Sequence, residues 1–576
     1  MSSTLVPLTS TFTSVPKQLA TSTNSQFISK ARTNQTHGFK VSCNALPQDN
    51  ENQLILPETQ KLILPNNNVD RRNLLVGLGG MYTAANLTSL PSAFASPITA
   101  PDITNVCNDS ASGFNTANAI RTGKCCPPNL GKKVKEFTFP TETTTRVRWP
   151  AHLGTQRQVS MYTAALAIMR ALPDDDPHSF AIQAKIHCAY CNGGYTQRIL
   201  GEPTFALPYW NWDDPVGGMK IPDFFLLEFL PSYDAYRDAR HEPPLLVDLA
   251  FDGRERFVSN EVQTQCNLSI VYRDLVRNGT DSKSFFGGEY VAGDAPVNNG
   301  AKSIGSVEAG THTAVHRWVG DSTKPNNEDM GNFTYSAGYD PLFYVHHANV
   351  DRMWKLWKDL GIKGRNEPTD RDWLDASYVF YDENMDLVRV YNRDCANIDK
   401  LKYDYFVTEG ETAWRNSQPG KRNKNEKPQT VSIAEVKTVE QLTFPVGVDP
   451  ELKVRVKRPA VNITNAEKGR ANKILLINGI RFNSDKFVKF DVFVNDNVED
   501  GKLTTPCDPE YAGGFSQVPH NDNMKMLMTS AARFGLDEIL EDTNTEGEEY
   551  ALVTLVARAG CDDLTVEGIK IELVPY

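Results

Sequence analysis

The chain has 576 residues, a formal net charge of −11 and 40% hydrophobic residues. A chain of this length has room for two or three domains with a sizeable core. The acidic balance argues against nucleic acid or an anionic membrane as partner. Because no run of 18 or more apolar residues occurs, no transmembrane span is expected.

The N-terminal region has the composition of a targeting sequence. Residues 1 to about 45 are rich in Ser, Thr, Gln and Asn, and no acidic residue occurs before Asp49, which is typical of a transit peptide. Arg71-Arg72 then precede a mildly apolar segment and a small-x-small cleavage site at Ala93-Phe94-Ala95. This second pattern indicates import by the Tat machinery. Together they predict the chloroplast thylakoid lumen, with residues 1–95 as a bipartite transit peptide; the alternative is a disordered tail with a chance arginine pair.

The next region predicts helices that bring histidines together. Apolar residues recur at helical spacing from Val159 to Leu172. His312 and His316 are four residues apart, so on a helix their side chains project from one face. Asp340-Pro341 predicts a helix start, with Asp as N-cap and Pro at the first position, and His346 follows one to two turns later. Three imidazoles in a common core predict a copper or zinc site, because magnesium and calcium prefer oxygen ligands.

Neighbouring residues receive supporting interpretations. Asp351, about one turn beyond His346, is predicted to orient a ligating imidazole through its second ring nitrogen. His347 adjoins His346 but points about 100° away on a helix, so it is not predicted to be a ligand. Four cysteines carry no motif signal and are expected to be buried free thiols: Cys266, Cys395, Cys507 and Cys561.

The C-terminal part changes to strand-like patterning. The stretch 417–427 is polar and basic with Pro and Gly, which indicates an exposed, protease-sensitive linker. Apolar residues then alternate in period two through 473–477, 487–492 and 550–556, an all-β signature. The predicted fold is a mainly α helical-bundle copper domain with irregular loops, followed by a C-terminal all-β sandwich-like domain.

These motifs resemble the plant polyphenol oxidases (catechol oxidases), the type 3 dicopper family of the chloroplast. The resemblance rests on the HxxxH pair, the GYDPLFYVHHANVDRMW stretch at 338–354, the HCAYC motif at 187–191, Asp372-Trp373-Leu374, Tyr403-Asp404-Tyr405 and the KFDV string at 489–492. It implies a copper catalytic domain at 96–366, a DWL module at 367–416, a linker at 417–440 and a shielding KFDV domain at 441–576.

In that family six histidines hold two copper ions, CuA and CuB, which oxidise o-diphenols to o-quinones with O₂. The resemblance implies CuB ligands at His312, His316 and His346, a first CuA ligand at His187, a gate residue at Phe333 and a water-holding carboxylate at Glu308. It also implies the disulfides Cys107–Cys125 and Cys126–Cys188, although the sequence alone leaves three pairings of these four cysteines open. Disulfides here require the oxidising lumen rather than the stroma.

One part of the family pattern is missing. The second and third CuA histidines normally lie between the HCAYC motif and the RILG string, but this chain passes from Gly194-Tyr195 almost directly into Arg198-Ile199. Cys191 therefore also lacks the histidine to which the family links it by a thioether. At most one copper ion is expected in this chain, against two in the family.

Three functional hypotheses remain open. The first is a catechol oxidase acting on a phenolic small molecule and O₂, with the block lost through a gene-model, splicing or cloning error. The second is a catalytically inactive or mono-copper luminal protein. The third and weakest is an oxygen carrier of the related haemocyanin type, which also needs both coppers. Thr313 stands where monophenol-oxidising family members often have Asn, and this favours o-diphenols.

Overall fold

The structure is a computed structural model. It describes residues 133–141, 143–190, 205–288, 303–324, 327–332, 336–422, 435–459, 471–483, 485–496, 505–518 and 527–575, with the backbone alone for 188–190. The residues predicted for targeting, the gate residue Phe333, and Cys107, Cys125 and Cys126 lie outside the described residues, as does the side chain of Cys188. The predictions made for them stay predictions.

The first part of the described chain is mainly helical. Its α-helices are α1 (Gln156–Ala171), α2 (Phe180–Tyr190), α3 (Asn260–Tyr272), α4 (Ser282–Phe286), α5 (Thr313–Val319), α6 (Pro341–Asp359), α7 (Arg371–Asp375), α8 (Asn392–Cys395) and α9 (Ile398–Leu401). Two π-helical segments adjoin them: π1 (Arg273–Arg277) continues α3, and π2 (Glu308–His312) leads into α5. Short strands complete this part: β1 (Lys135–Glu136), β2 (Arg146–Arg148), β3 (Gly287–Gly288), β4 (Ser303–Ile304), β5 (Ser377–Tyr381), β6 (Leu387–Tyr391) and β7 (Tyr403–Tyr405).

The predicted start of α6 is confirmed. The Asp340 side chain accepts the backbone N–H of Leu342 at 2.7 Å, and Pro341 occupies the first helical position. Arg237 binds the same carboxylate through Nε at 2.8 Å and Nη2 at 2.5 Å, and both side chains are buried. A buried, two-point ion pair therefore fixes the end of the helix that bears His346 and His347.

The second part is a β-sandwich. Its elements are β8 (Val446–Gly447), β9 (Glu451–Lys457), β10 (Ala471–Asn483), β11 (Val488–Val494), β12 (Tyr511–Gln517), β13 (Leu527–Gly535), α10 (Asp537–Asp542), β14 (Tyr550–Ala559), β15 (Thr565–Val566) and β16 (Gly568–Pro575). One antiparallel sheet has the order β13-β10-β15-β8 with β16 also on β10, and the other has the order β12-β11-β14-β9. Side chains of both sheets, such as Ile477, Phe490 and Val553, share one buried core. The predicted fold class is confirmed for both parts.

The face of the helical part formed by α3 and π1 contacts the sandwich. A disulfide joins Cys266 on α3 to Cys507 just before β12. Arg273 donates to the carbonyl of Asp508 at 2.6 Å, and Arg277 binds the carboxylate of Glu538 at 2.9 Å. These bonds connect the two parts of the chain both covalently and through buried charged side chains.

The disulfide corrects a prediction. Cys266 and Cys507 were expected to be free thiols, but they are bonded across a sequence separation of 241 residues, which no local motif reveals. Cys395 and Cys561 are buried free thiols, as predicted. No described helix combines the length and the apolar character that crossing a membrane requires.

Candidate metal centre

Four histidine side chains from two neighbouring stretches of chain converge. His312 ends π2, His316 lies on α5, and His346 and His347 lie on α6. One ring nitrogen of each lies within 4.8 Å of the others. His187 on α2 stands beside this group, with its ring centroid 6.4 Å from that of His347. The structure thus brings all four histidines predicted as ligands into one region and adds His347.

The contacts of His316 determine which of its nitrogens carries the proton. Its Nδ1 lies 2.8 Å from the carbonyl oxygen of Met330, so Nδ1 carries the proton and donates it. Its Nε2 therefore carries the ring's acceptor lone pair, and it lies 3.0 Å from Nε2 of His347. Two imidazole ligands of one tetrahedral ion, each bonded at 2.0–2.1 Å, have nitrogens about 3.3 Å apart. The two Nε2 atoms are therefore already close to a ligand spacing.

His346 has the opposite arrangement. The indole N–H of Trp212 donates to its Nδ1 at 3.1 Å. A neutral imidazole has one acceptor nitrogen and one donor nitrogen, so this bond places the proton of His346 on Nε2. A protonated Nε2 has no lone pair for a metal. Among the described residues, Nδ1 of His347 has no hydrogen-bond partner.

Two sequence interpretations are corrected by these contacts. His347 was expected to point away from the site, yet its ring nitrogen belongs to the four-histidine group, because adjacent imidazoles on a helix can swing toward one centre through their side-chain torsions. Asp351 was expected to orient an imidazole. Instead its carboxylate accepts from the hydroxyls of Tyr403, at 2.7 Å, and of Tyr405, and therefore joins α6 to β7.

The surroundings keep the imidazoles neutral. Burial lowers the pKa of His312 to about 4, and burial together with the nearby His312 lowers the pKa of His187 to about 3. Burial is also the main cause that lowers the pKa of His316, His346 and His347 well below the usual range. Neutral imidazole is the form that binds metals. A buried group with nitrogen donors and no carboxylate suits copper or zinc.

Glu308 begins π2 and lies near the group. Burial raises the pKa of its carboxyl well above the usual range, while a bond with the Gly305 backbone acts in the opposite direction. The Thr313 hydroxyl donates to the main-chain oxygen of Glu308 at 2.6 Å, so its single proton is already used. A bound cation would favour the ionised form of Glu308, which is the form that can accept a proton.

His187 is the sole histidine of a possible second site within the described residues. It is 1% exposed, packs on Phe343 at a centroid distance of 4.1 Å, and its Nδ1 has no partner among the described residues. One imidazole does not hold a copper ion against competing ligands. The described residues therefore fit one metal ion at the four-histidine group and do not fit a second at His187.

The comparisons with known proteins cover nearly the whole chain. Three family descriptions match: common central domain of tyrosinase at 187–360, polyphenol oxidase middle domain at 367–420 and chloroplastic polyphenol oxidase C-terminal domain at 444–573. The chloroplastic polyphenol oxidase of Malus domestica is 40% identical over 594 positions, which cover 95% of each chain. Chloroplastic catechol oxidase B of Solanum tuberosum is 38% identical over 596 positions, which cover 96% of each chain.

A solved structure is also similar. Latent aurone synthase (polyphenol oxidase) from natural source is 61% identical, with a TM-score of 0.77 over 83% of this chain and 99% of that chain. The alignments to both plant relatives are longer than the 576 residues of this chain. Each relative therefore has residues that lack a counterpart here.

Proposed function

Because the chain belongs to the plant polyphenol oxidases, a family of copper-dependent phenol-oxidising enzymes, we propose that its reaction, once two coppers are bound, is the oxidation of o-diphenols to o-quinones by O₂. The observation that supports this most directly is the convergence of neutral imidazoles, half-buried at His312 of π2 and buried on α5 and α6, on one centre. The name of the catechol oxidase among the relatives supports the o-diphenol as substrate. The engaged hydroxyl of Thr313 supports it too, since this residue has no proton left to hold a water in the manner of Asn.

The proposed CuB ligands are His312, His316 and His347. His316 and His347 present Nε2 atoms at near-ligand spacing, whereas His346 is held by Trp212 in a tautomer that cannot ligate through Nε2. His346 then lines the site beside the three ligands without binding the metal. Bound copper would cycle by one electron at this position, so a pair of coppers would be needed to take up the two electrons that the o-diphenol loses and to pass them to O₂.

The remaining residues have roles in handling protons and access. Glu308 is the proposed acceptor for a phenolic proton, because it stands next to the ligands and its burial makes it a stronger base than a solvated carboxylate. Phe333 is proposed as the gate over the site from its position in the sequence. Burial of His316, His346 and His347 keeps water away from the nitrogens that bind the metal.

A second candidate function is favoured by the chain as written. Only His187 represents the CuA ligands among the described residues, and the relatives' alignments leave room for residues that are missing here. We propose that this chain binds at most one copper ion and does not oxidise o-diphenols until the missing block is restored. Sequencing the transcript across Tyr195–Arg198 separates a true deletion from a gene-model error.

Copper content and oxygen uptake test both proposals. The chain as written should bind no more than one copper and consume no O₂ with 4-methylcatechol above background. A family-like insert between Tyr195 and Arg198 should bring copper to two per chain and start oxidation. The matched control carries the same insert with its histidines changed to Gln, which restores packing without ligands and should stay inactive.

Each proposal has a distinct way to fail. Two coppers and clear catechol oxidation by the chain as written would exclude the mono-copper proposal. A dicopper insert variant that leaves 4-methylcatechol untouched would exclude the o-diphenol proposal. Replacing His316 by Ala should remove most bound copper from the chain as written, and unchanged copper content would exclude it as a ligand.

We further propose the thylakoid lumen as the destination. The relatives are named chloroplastic, and the twin arginines at Arg71-Arg72 followed by Ala93-Phe94-Ala95 have the Tat pattern. Changing both arginines to Lys should block import into the lumen of isolated chloroplasts while leaving import into the stroma intact. Normal processing of that variant in the lumen would exclude the Tat route.

A further inference from the structure

The turn that bears Glu308 and His312 is kinked in its middle. Gly310 has φ −96° and ψ −113°, which is not helical. A kink of this kind releases backbone groups from the regular hydrogen-bond ladder, and these groups need other partners when they are buried. The released groups flank the two functional residues, because Ala309 follows Glu308 and Thr311 precedes His312.

Asp274 of π1 satisfies one released group. Its Oδ2 accepts the backbone N–H of Thr311 at 2.9 Å, and both residues are buried. The Ser306 hydroxyl donates to the main-chain oxygen of Asp274 at 2.7 Å, so a second bond holds Asp274 against the same turn. Among the described residues no cationic side chain lies within ion-pair distance of this carboxylate. The Asp274 carboxylate is therefore held by the Thr311 N–H and not by a salt bridge.

The absence of a side chain at Gly310 fits this contact. A Cβ built there would lie 2.2 Å from Oδ2 of Asp274 and 2.7 Å from its Oδ1. Glycine therefore allows the carboxylate to lie directly against the kink. On the other side, the hydroxyl of Ser516 on β12 donates to the carbonyl of Ala309 at 2.7 Å, so the sandwich satisfies the second released group.

We propose that Asp274 is a positioning residue of the metal centre, which fixes the kink at Gly310 and thereby the directions of Glu308 and His312. The proposal rests on the copper site proposed above. Burial raises the pKa of Asp274 to about 7, and its bonds with Thr311 oppose that rise. The bonds to Thr311 therefore offset part of the desolvation cost of burying this carboxylate. Residues that orient metal ligands without touching the metal typically change metal affinity about 10–100-fold when they are removed.

The test compares copper affinities by competition with a chelator. Asp274→Ala should lower the affinity about 10–100-fold and alter the Cu(II) electron paramagnetic resonance spectrum. Asp274→Asn keeps an oxygen that accepts the Thr311 N–H, and should bring both readouts back close to the parent values. The matched control is Asp281→Ala, which removes a similar bond from a carboxylate to the Ser284 N–H at 2.8 Å on α4 and should leave both readouts unchanged.

The outcomes separate a positioning role from general stability. Parent-like copper affinity in Asp274→Ala, or an equal loss in Asp281→Ala, would overturn the proposal. Should Asp274→Ala not fold, Gly310→Ala displaces the carboxylate while retaining it and should lower the affinity in the same way; an unchanged affinity there would also overturn the proposal. If neither the parent nor His316→Ala retains copper, the copper site itself is wrong, which is a different failure.

Discussion

Trp212 separates the roles of two adjacent imidazoles. Its indole N–H donates to Nδ1 of His346 at 3.1 Å, while Nε2 of His347 faces Nε2 of His316 at 3.0 Å. The proposed choice of His347 over His346 as a ligand therefore rests on the hydrogen bonds of their side chains rather than on their order along α6. The same reasoning supports the proposal of His316 as a ligand, since Met330 holds its proton on Nδ1.

This assignment predicts unequal effects of two neighbouring substitutions. His347→Gln should lower copper retention as strongly as His316→Gln, because each removes a nitrogen from the metal. His346→Gln should lower it far less, because the Gln carbonyl can still accept the Trp212 N–H and no ligand is lost. Chelator competition measures all three variants. A large loss in His346→Gln together with parent-like retention in His347→Gln would contradict the assignment.

At the residue scale, the sequence predicts which residue types lie together. It predicts less well which atom of each side chain binds a metal or forms a hydrogen bond. The HxxxH pair and His346 of α6 were predicted as ligands, and all three lie in the group. His347 was missed because the 100° rotation between neighbours describes where the Cβ atoms point, not where a long ring can reach. Trp212 lies 134 residues from His346, and no local pattern connects them.

Helices and strands with local signals were predictable. The Asp340-Pro341 cap fixes the start of α6 because both interactions lie within three residues. The run from Val159 to Leu172 falls on α1 and its C-cap, Leu172. The period-two stretch at 487–492 overlaps β11, whose residues are all buried. In each case the determining contacts are close in sequence or repeat with a fixed period.

The π-helical segments had no such signal. The HxxxH spacing predicted one regular helix, whereas His312 ends π2 and His316 lies in α5, after a kink at Gly310. The backbone groups at the kink bond to Asp274, 37 residues from its partner Thr311, and to Ser516, 207 residues from Ala309. Local helix propensity cannot predict a backbone conformation that involves hydrogen-bond partners distant in sequence. π-helical turns of this kind are frequent at functional sites.

The two parts of the molecule are joined more firmly than the linker alone implies. The Cys266–Cys507 disulfide bridges α3 and the loop before β12, and Arg273 and Arg277 of π1 add bonds to the sandwich. Lys421 and Arg422, the last described residues before the undescribed part of the linker, differ in exposure. The side chain of Lys421 is 58% exposed, while that of Arg422 is 12% exposed and pairs with Glu510. Proteolysis and separation of the parts are therefore two distinct events.

Limited trypsin digestion should cut first between Lys421 and Lys427, yet leave the fragments joined. After blocking of free thiols with N-ethylmaleimide, a non-reducing denaturing gel should show one species of nearly parental size, because the disulfide spans the cut. Reduction should resolve it into a helical fragment and a fragment containing 441–576. Cys507→Ser provides the control, since its fragments should separate without reductant. Free fragments from the parent under non-reducing conditions would show that the disulfide does not form, and early cleavage within 441–576 would show that the linker boundary is misplaced.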